Sequence, residues 1–543
     1  MSMPAPEPAR AALETAAREL SERHTTLEPR AQPLDSLERI GSIGRWLDRA
    51  RVLLADPPPE AAKAAEWLLD NDYLVERATR QIKNDLPSGF YRRLPAVAQG
   101  AEQRFPRTYV LAHTFLRASS LHASLAGATA FTQAYQQGGS SLTIAELWAF
   151  PALLRLACLE LLVTALGRLV PDLKPPVKMP ALDSVPIEDT ECVARSLANL
   201  GVIATIPWKT FFEDTSRVEA ILRTDPAGTY QRMDFETRDR YRVAVEEIAH
   251  WAHHTEVDVA ERVVTHASRS KTQRPTAAHI GYWLIGDGRD TFERALGSRL
   301  PVRVSAWRWG FRYAGPLYGS ALASGIVAAL ALPVLYLWAV GASTMAVVVG
   351  TAVALLPGSV VAVTVVHWLV TRVVPPRVLP KLELERGIPP DCCTAVVVPA
   401  LVGSVKEAQE LLERLEEHYL ANPASSVQFV LLTDPPDAPV ENTANDEAIE
   451  AALVDGIRML NGRHGREGRR RFHVLHRRRQ FNPAEGCWMG WERKRGKLEQ
   501  FNRLVLGETD SGFALHEGDA AALRQVRFVV TVDADTRLPQ GAV

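Results

Sequence analysis

The sequence predicts a chain of three parts: an all-helical N-terminal region, a two-helix transmembrane hairpin and a parallel-sheet α/β domain. Three observations predict it. Residues 1–300 place apolar residues at helical spacing, without strand alternation. Two long uncharged runs then follow in immediate succession. Beyond them, short β-rich apolar runs alternate with helical stretches, the pattern of a parallel sheet with helices on both faces. The predicted divisions are residues 1–300, 301–375 and 376–543.

In the first part, Ala61 to Leu86 sets Ala65, Leu68, Leu69, Tyr73, Val75 and Ile82 among charged residues at helical period, and Leu86-Pro-Ser-Gly89 supplies the stop. Leu142 to Val170 is the most apolar stretch outside the hairpin. Glu146, Arg155, Glu160 and Arg168 are spread along it, a charge density that fits a helix buried in a soluble core better than a third span. Asp234 to Ala267 reads as one charged amphipathic helix.

The hairpin spans are predicted at 317–340 and 345–370. Each is longer than the ~20 residues a helix needs to cross a bilayer, and Gly341-Ala-Ser-Thr344 joins them. Helices satisfy their own backbone groups, as lipid requires. Pro333 and Pro357 would kink them. Arg303, Arg308 and Arg312 precede the first span, and Arg372, Arg377 and Lys381 follow the second; positive flanks at both ends place the soluble parts in the cytoplasm. Tyr318, Tyr336, Trp338 and Trp368 lie where interfacial anchors usually sit.

Val373-Val-Pro-Pro-Arg and Gly387-Ile-Pro-Pro-Asp bracket a stiff linker. Strands are then predicted at Thr394–Pro399, Val427–Thr433, Phe472–His476 and Arg527–Val532. Helices are predicted from Ser404, a suitable N-cap, to about Tyr419, from Asn442 to Asn461 and from Lys497 to Leu506.

Composition excludes several classes. The net charge is −1, from 62 basic and 63 acidic residues, which gives no overall attraction to nucleic acid. The five cysteines form no C-x-x-C pair; their odd number argues against a disulfide framework or a zinc site and for a reducing compartment. The N-terminus lacks the apolar core of a secretory signal.

Ligands of parallel α/β sheets sit beyond the carboxyl ends of the strands. Asp434 follows the second predicted strand. It would suit a nucleobase or ribose; taken alone, Asp434-Pro-Pro-Asp437 reads more readily as a turn. Asp533-Ala-Asp535 follows the last strand. Its carboxylates suit Mg²⁺ or Mn²⁺ with substrate phosphates, or a solvated loop. Trp488 and Trp491 offer sugar-stacking faces, or core packing. Arg493, Lys494, Arg495 and Lys497 could neutralise a diphosphate, or line a solvated loop. Arg469-Arg-Arg and Arg477-Arg-Arg read as solvated faces, with lipid headgroups or phosphate the alternative. His473 and His476 read as sheet-packing residues. A haloacid-dehalogenase-type D-x-D-x-T/V motif is disfavoured, because Arg537 holds its fifth position.

Several segments together resemble the bacterial cyclic β-1,2-glucan synthases. Ala65-Glu-Trp-Leu-Leu-Asp-Asn71, Leu86-Pro-Ser-Gly-Phe-Tyr, Leu142-Thr-Ile-Ala-Glu-Leu-Trp148, Asp225-Pro-Ala-Gly and Met233-Asp-Phe-Glu-Thr-Arg-Asp-Arg-Tyr241 are similar to that family's helical N-terminal region. His476-Arg-Arg-Arg-Gln-Phe-Asn-Pro-Ala-Glu-Gly-Cys-Trp-Met-Gly-Trp-Glu-Arg-Lys-Arg-Gly-Lys-Leu498 is similar to its glycosyltransferase segment. The resemblance implies a glycosyltransferase-A-type domain at the bacterial inner membrane, with UDP-glucose as donor, a β-glucan as acceptor and the lipid bilayer as surroundings; it implies no nucleic acid partner. By resemblance, Asp434 is the first nucleotide-binding aspartate, Asp533 and Asp535 hold Mg²⁺ or Mn²⁺, and Lys497 contacts the donor. Trp488, Trp491 and Arg495 join the expected substrate-binding set. Relatives of this fold also use a later aspartate as general base and a Q-x-x-R-W motif. Neither follows Asp535, and no tyrosine for self-glucosylation follows Tyr419. The expectation is therefore a truncated enzyme whose base lies beyond Val543. The alternative is an inert membrane-anchored scaffold or a glucan-binding fragment.

Overall fold

A computed structural model describes residues 10–28, 36–91, 94–100, 102–103, 105–139, 141–170, 172–173, 187–270, 274–376, 378–384, 387–465, 470–508 and 512–543, with only the backbone at 36–39 and 88–89. Arg377 and Arg469 fall outside the described residues. The chain forms two compact units, Met1–Leu382 and Glu383–Val543.

Among its described residues, the regular structure of the first unit is helical apart from one antiparallel pair of two-residue strands, β1 (Leu27–Glu28) and β2 (Ala96–Val97). Its core is organised around the helix Ile144–Leu169. Thr143 caps that helix in a reciprocal box with Glu146, which satisfies two otherwise orphaned donors. Its two glutamates are paired inside the core. Arg107 grips Glu146 through Nε and Nη2 at 2.5 and 2.6 Å, and Glu160 accepts from the Tyr109 hydroxyl at 2.6 Å and contacts His113 Nε2 at 2.9 Å.

Among the described residues, length and apolarity mark three candidate spans, not the two the sequence predicts: Ile144–Leu169, Ala314–Ala339 and Thr344–Val373. Burial separates them. The first is 94 % buried in its apolar window, the other two 0 % and 6 %. The exposed pair runs antiparallel and packs through small residues. Tyr318 Oη meets His367 Nε2 at 2.8 Å. A Cβ added at Gly325 would stand 3.2 Å from Ala362, and Gly358 faces Ala329. Close approach at small residues is how helices associate in lipid.

Two predicted helices are broken. Asn71 separates Ala62–Asp70 from Asp72–Asp85, its side-chain amide donating to the Trp67 carbonyl at 2.9 Å. His253, left-handed at φ 56°, separates Phe235–Ala252 from Glu256–Ser270, because a left-handed residue ends helical hydrogen bonding.

The second unit holds β3 (Thr394–Leu401), β4 (Val427–Asp434), β5 (Phe472–Arg477), β6 (Gln480–Asn482), β7 (Cys487–Met489), β8 (Phe513–Glu517) and β9 (Phe528–Thr531). The main sheet runs β8-β5-β4-β3-β9; β5, β4, β3 and β9 are parallel and β8 is antiparallel. Alternate strand residues feed two apolar layers. Val396, Val398, Phe429 and Leu431 pack with the helices Val405–Ala421 and Asp446–His464 through Leu412, Leu415, Leu453 and Ile457. Val397, Val430, Leu432 and Leu475 pack with Phe501, Leu523 and Val526. The sequence reading missed β8 and the separate hairpin of β6 and β7, whose short strands carry no long apolar run.

Candidate functional site

The chain adds β4 and β5 on one side of β3 and returns to place β9 on the other. In such sheets ligands sit at the carboxyl edge where the strand order reverses, which here is the end of β3. Leu401 pairs with Asp434, so β3 and β4 end together, and Val532 N–H donates to Val397 O at 2.9 Å before the chain turns out through Asp533 and Asp535.

Asp434 is 1 % exposed. Arg477 grips it in a fork, Nε to Oδ1 at 2.6 Å and Nη2 to Oδ2 at 2.7 Å. Lys497 Nζ adds a contact at 2.9 Å to Oδ2 and donates to the Ala400 carbonyl at 2.7 Å. Arg477 also donates to the carbonyls of Trp491 and Arg493 and to Gln500 Oε1, at 2.9, 3.0 and 2.8 Å. One carboxylate thus sits between two buried cations, leaving an excess positive charge at the edge. Burial pushes the Lys497 ammonium below the usual lysine range, and Asp434 partly offsets that.

The segment between these residues is shaped by close approach. A Cβ at Gly490 would stand 2.8 Å from Asp434 Cγ, and one at Gly496 would overlap the Trp491 carbonyl oxygen. Between them, Glu492 and Arg493 are left-handed at φ 52° and 47°, which costs a residue with a side chain of order 1–3 kcal/mol. The Arg477 bonds to the carbonyls of Trp491 and Arg493 hold this turn in place.

The helix Arg493–Val505 carries Lys494 and Lys497 three residues apart, on one face. Lys497 meets Asp434, and Lys494 ion-pairs with Asp533. The structure thereby links these two aspartates through successive lysines. Asp533 and Asp535 are exposed on a turn closed by the Thr536 N–H donating to Asp533 O at 2.9 Å.

Trp488 is half-buried in β7, its ring 5.7 Å from that of Phe481, and its backbone exchanges bonds of 2.8 and 2.9 Å with Ala438. Trp491 is 38 % exposed. Arg495 is exposed and pairs with Glu492 at 3.1 Å. Asp437, Glu485 and Cys487 also converge within 4.8 Å, but Arg493 already contacts both carboxylates.

The solvated-face reading of Arg477-Arg-Arg is overturned for Arg477 and Arg479, both buried; Arg478 is exposed. Arg479 binds Asp446 at 2.6 and 3.2 Å and the carbonyls of Pro436 and Glu441, clamping the loop after β4. Alternation at the end of a strand, which sends residues 477 and 479 to one face and 478 to the other, is the signal that would have found them. His473 and His476 are packed in the sheet. His473 Nδ1 accepts from the Asp519 N–H at 3.2 Å and Nε2 meets Gln428 at 3.0 Å; His476 Nδ1 meets Thr433 Oγ1 at 2.8 Å.

These features define an α/β domain whose sheet edge carries excess buried positive charge beside exposed carboxylates, a layout suited to anionic ligands. No protein-family model matches the chain. The chain is similar to the cyclic beta-(1,2)-glucan synthase NdvB of Rhizobium meliloti (strain 1021), with 28 % identity over an alignment of 612 residues that covers 96 % of this chain and 21 % of that protein. The chain thus spans about a fifth of the length of the curated relative it matches.

Proposed function

We propose that this chain supplies the membrane anchor and the donor-binding edge of a glucosyltransferase that moves glucose from UDP-glucose to a growing β-1,2-glucan. The observation that carries the reading is the Asp434–Arg477–Lys497 cluster at the strand reversal, joined through Lys494 to Asp533. Similarity to a glucan synthase along nearly the whole chain supports the same chemistry. The domain is read as glycosyltransferase-A-type, and the exposed apolar hairpin as its anchor in the bacterial inner membrane.

Glucosyl transfer builds negative charge on the departing diphosphate. Lys497, fixed by Asp434 and the Ala400 carbonyl, and Lys494 one turn earlier are placed to offset that charge more in the transition state than in the ground state. Trp491 and Trp488 offer faces to the sugar, and Arg495 a further cation. Asp533 and Asp535 are hard oxygen donors open to solvent, the donor type that Mg²⁺ or Mn²⁺ takes, and an ion there would displace the Lys494 ammonium from Asp533. Such an ion would supply Lewis-acid stabilisation of the diphosphate. No residue of the chain is assigned as general base.

Calorimetric titration of the detergent-solubilised chain with UDP tests the proposal. Binding that strengthens with Mn²⁺ is expected, with the Mn²⁺ effect lost in Asp533→Asn and Asp535→Asn and overall affinity lowered in Lys497→Met. A folded wild-type chain that binds no UDP with or without Mn²⁺ would refute the reading and favour a scaffold.

A further inference from the structure

The helix Val302–Arg312 buries none of its residues, and Trp307, Trp309, Phe311 and Tyr313 beside it are each 45–57 % exposed. Trp307 stacks edge-on with Phe311 at 5.3 Å, and Trp309 lies against Tyr313 at 5.2 Å. At 3.6 residues per turn these pairs fall on opposite flanks. Arg308 faces the helical core instead. It binds Glu293 at 2.5 and 2.9 Å and Asp290 at 3.0 Å, and lies over the Trp251 ring at 5.7 Å. Arg303 and Arg312 are exposed. No acidic residue occurs from Arg294 to Leu382, so nothing nearby in sequence balances them.

We infer that this helix lies in the headgroup layer of the bilayer and binds anionic phospholipid through Arg303 and Arg312, with its two aromatic pairs as anchors. The inference rests on the proposed membrane reading of the hairpin, which begins at Ala314, directly after Tyr313. A protein groove would cover one aromatic flank and leave the other in water. The headgroup layer surrounds a helix, and it favours tryptophan, tyrosine and arginine together. Arginine near an anionic surface gains roughly 1 kcal/mol, about fivefold in local affinity. The Arg308–Glu293 clamp then fixes the helical core to the membrane surface, so that the core's orientation is set by lipid.

The test uses the full chain in nanodiscs containing lipids brominated near the carbonyl end of the acyl chain, with tryptophan fluorescence as readout. Quenching is expected to shrink in the Trp307→Phe/Trp309→Phe double variant. It is also expected to be stronger when the brominated species is phosphatidylglycerol than when it is phosphatidylcholine. Arg303→Gln/Arg312→Gln is expected to abolish that lipid preference. Trp338→Phe/Trp368→Phe reports the hairpin separately. If the hairpin variant loses quenching and the Trp307/Trp309 variant does not, the surface-helix inference falls while the membrane reading stands. If neither loses quenching, both fall. If the Trp307/Trp309 variant retains full quenching but turns an oligomer into a monomer, a second copy covers the helix and the inference is overturned.

Discussion

All five N–H groups of Arg477 are engaged, two of them on Asp434 and the others on Trp491, Arg493 and Gln500. Arg477→Ala would leave Asp434 paired with Lys497 but strand the acceptors of Trp491, Arg493 and Gln500, and an unsatisfied buried polar group costs about 1–3 kcal/mol. The variant is therefore expected to destabilise the sheet unit by at least that amount in denaturant unfolding. Arg477→Lys should recover only part, since an ammonium cannot reproduce the planar fork. Gly490→Ala, whose new methyl would press on Asp434 and Arg477, should cost about 1–3 kcal/mol by overpacking; wild-type stability in that variant would show that the segment yields freely. At this scale the sequence exposed the two ends of the cluster, Asp434 and Lys497, but hid its centre. An arginine in a run of three looks solvated until the strand register is known, and register depends on partners far along the chain.

The parallel strands and their covering helices were legible because apolar runs of β-branched residues, ending where glycine and proline begin, leave little else to form. The breaks at Asn71 and His253 were not, since a single left-handed or frayed residue barely disturbs an apolar period. Strand β5 carries a consequence for pH. Burial pushes His473 down to about 3 and His476 down to about 4. From about pH 6.5 down to about 4 for His476 and about 3 for His473, the unfolded chain therefore takes up protons that the folded strand refuses, and stability falls as pH falls. Asp446 acts in a lower window. Burial opposes its ionisation, but hydrogen bonds from Arg479 and Thr443 outweigh that and bring it to about 2. Its contribution is present above about pH 4 and is lost toward pH 2. Denaturant unfolding across this range should show both slopes. The His473→Gln/His476→Gln variant should reduce the upper one, to which His418 and His516, likewise pushed down by desolvation, also contribute, and leave the Asp446 loss toward pH 2. An unchanged upper slope would mean that the histidines are solvated in the folded state.

For the molecule as a whole, apolarity marks three helices among the described residues, and burial and charge together set Ile144–Leu169 apart from the other two. Glu146 and Glu160 on Ile144–Leu169 are held by Arg107, His113 and Tyr109 of the neighbouring helix Arg107–Ala118. Moving that helix into lipid would break these bonds and expose two carboxylates to hydrocarbon, at roughly 2.5–3.5 kcal/mol for each charge at the bilayer centre on insertion scales. The hairpin helices carry no such groups between Leu317 and Val370. Two spans return the chain to its starting side and three do not, so topology decides between them. Green fluorescent protein fused in turn to the N-terminus and after Val543 is expected to fluoresce at both positions in a bacterial host, and alkaline phosphatase at the same positions to stay inactive. Opposite signals at the two positions would make Ile144–Leu169 a third span and undo the helical core described above. Active phosphatase at both would keep the hairpin and reverse it, against the arginines that flank each end.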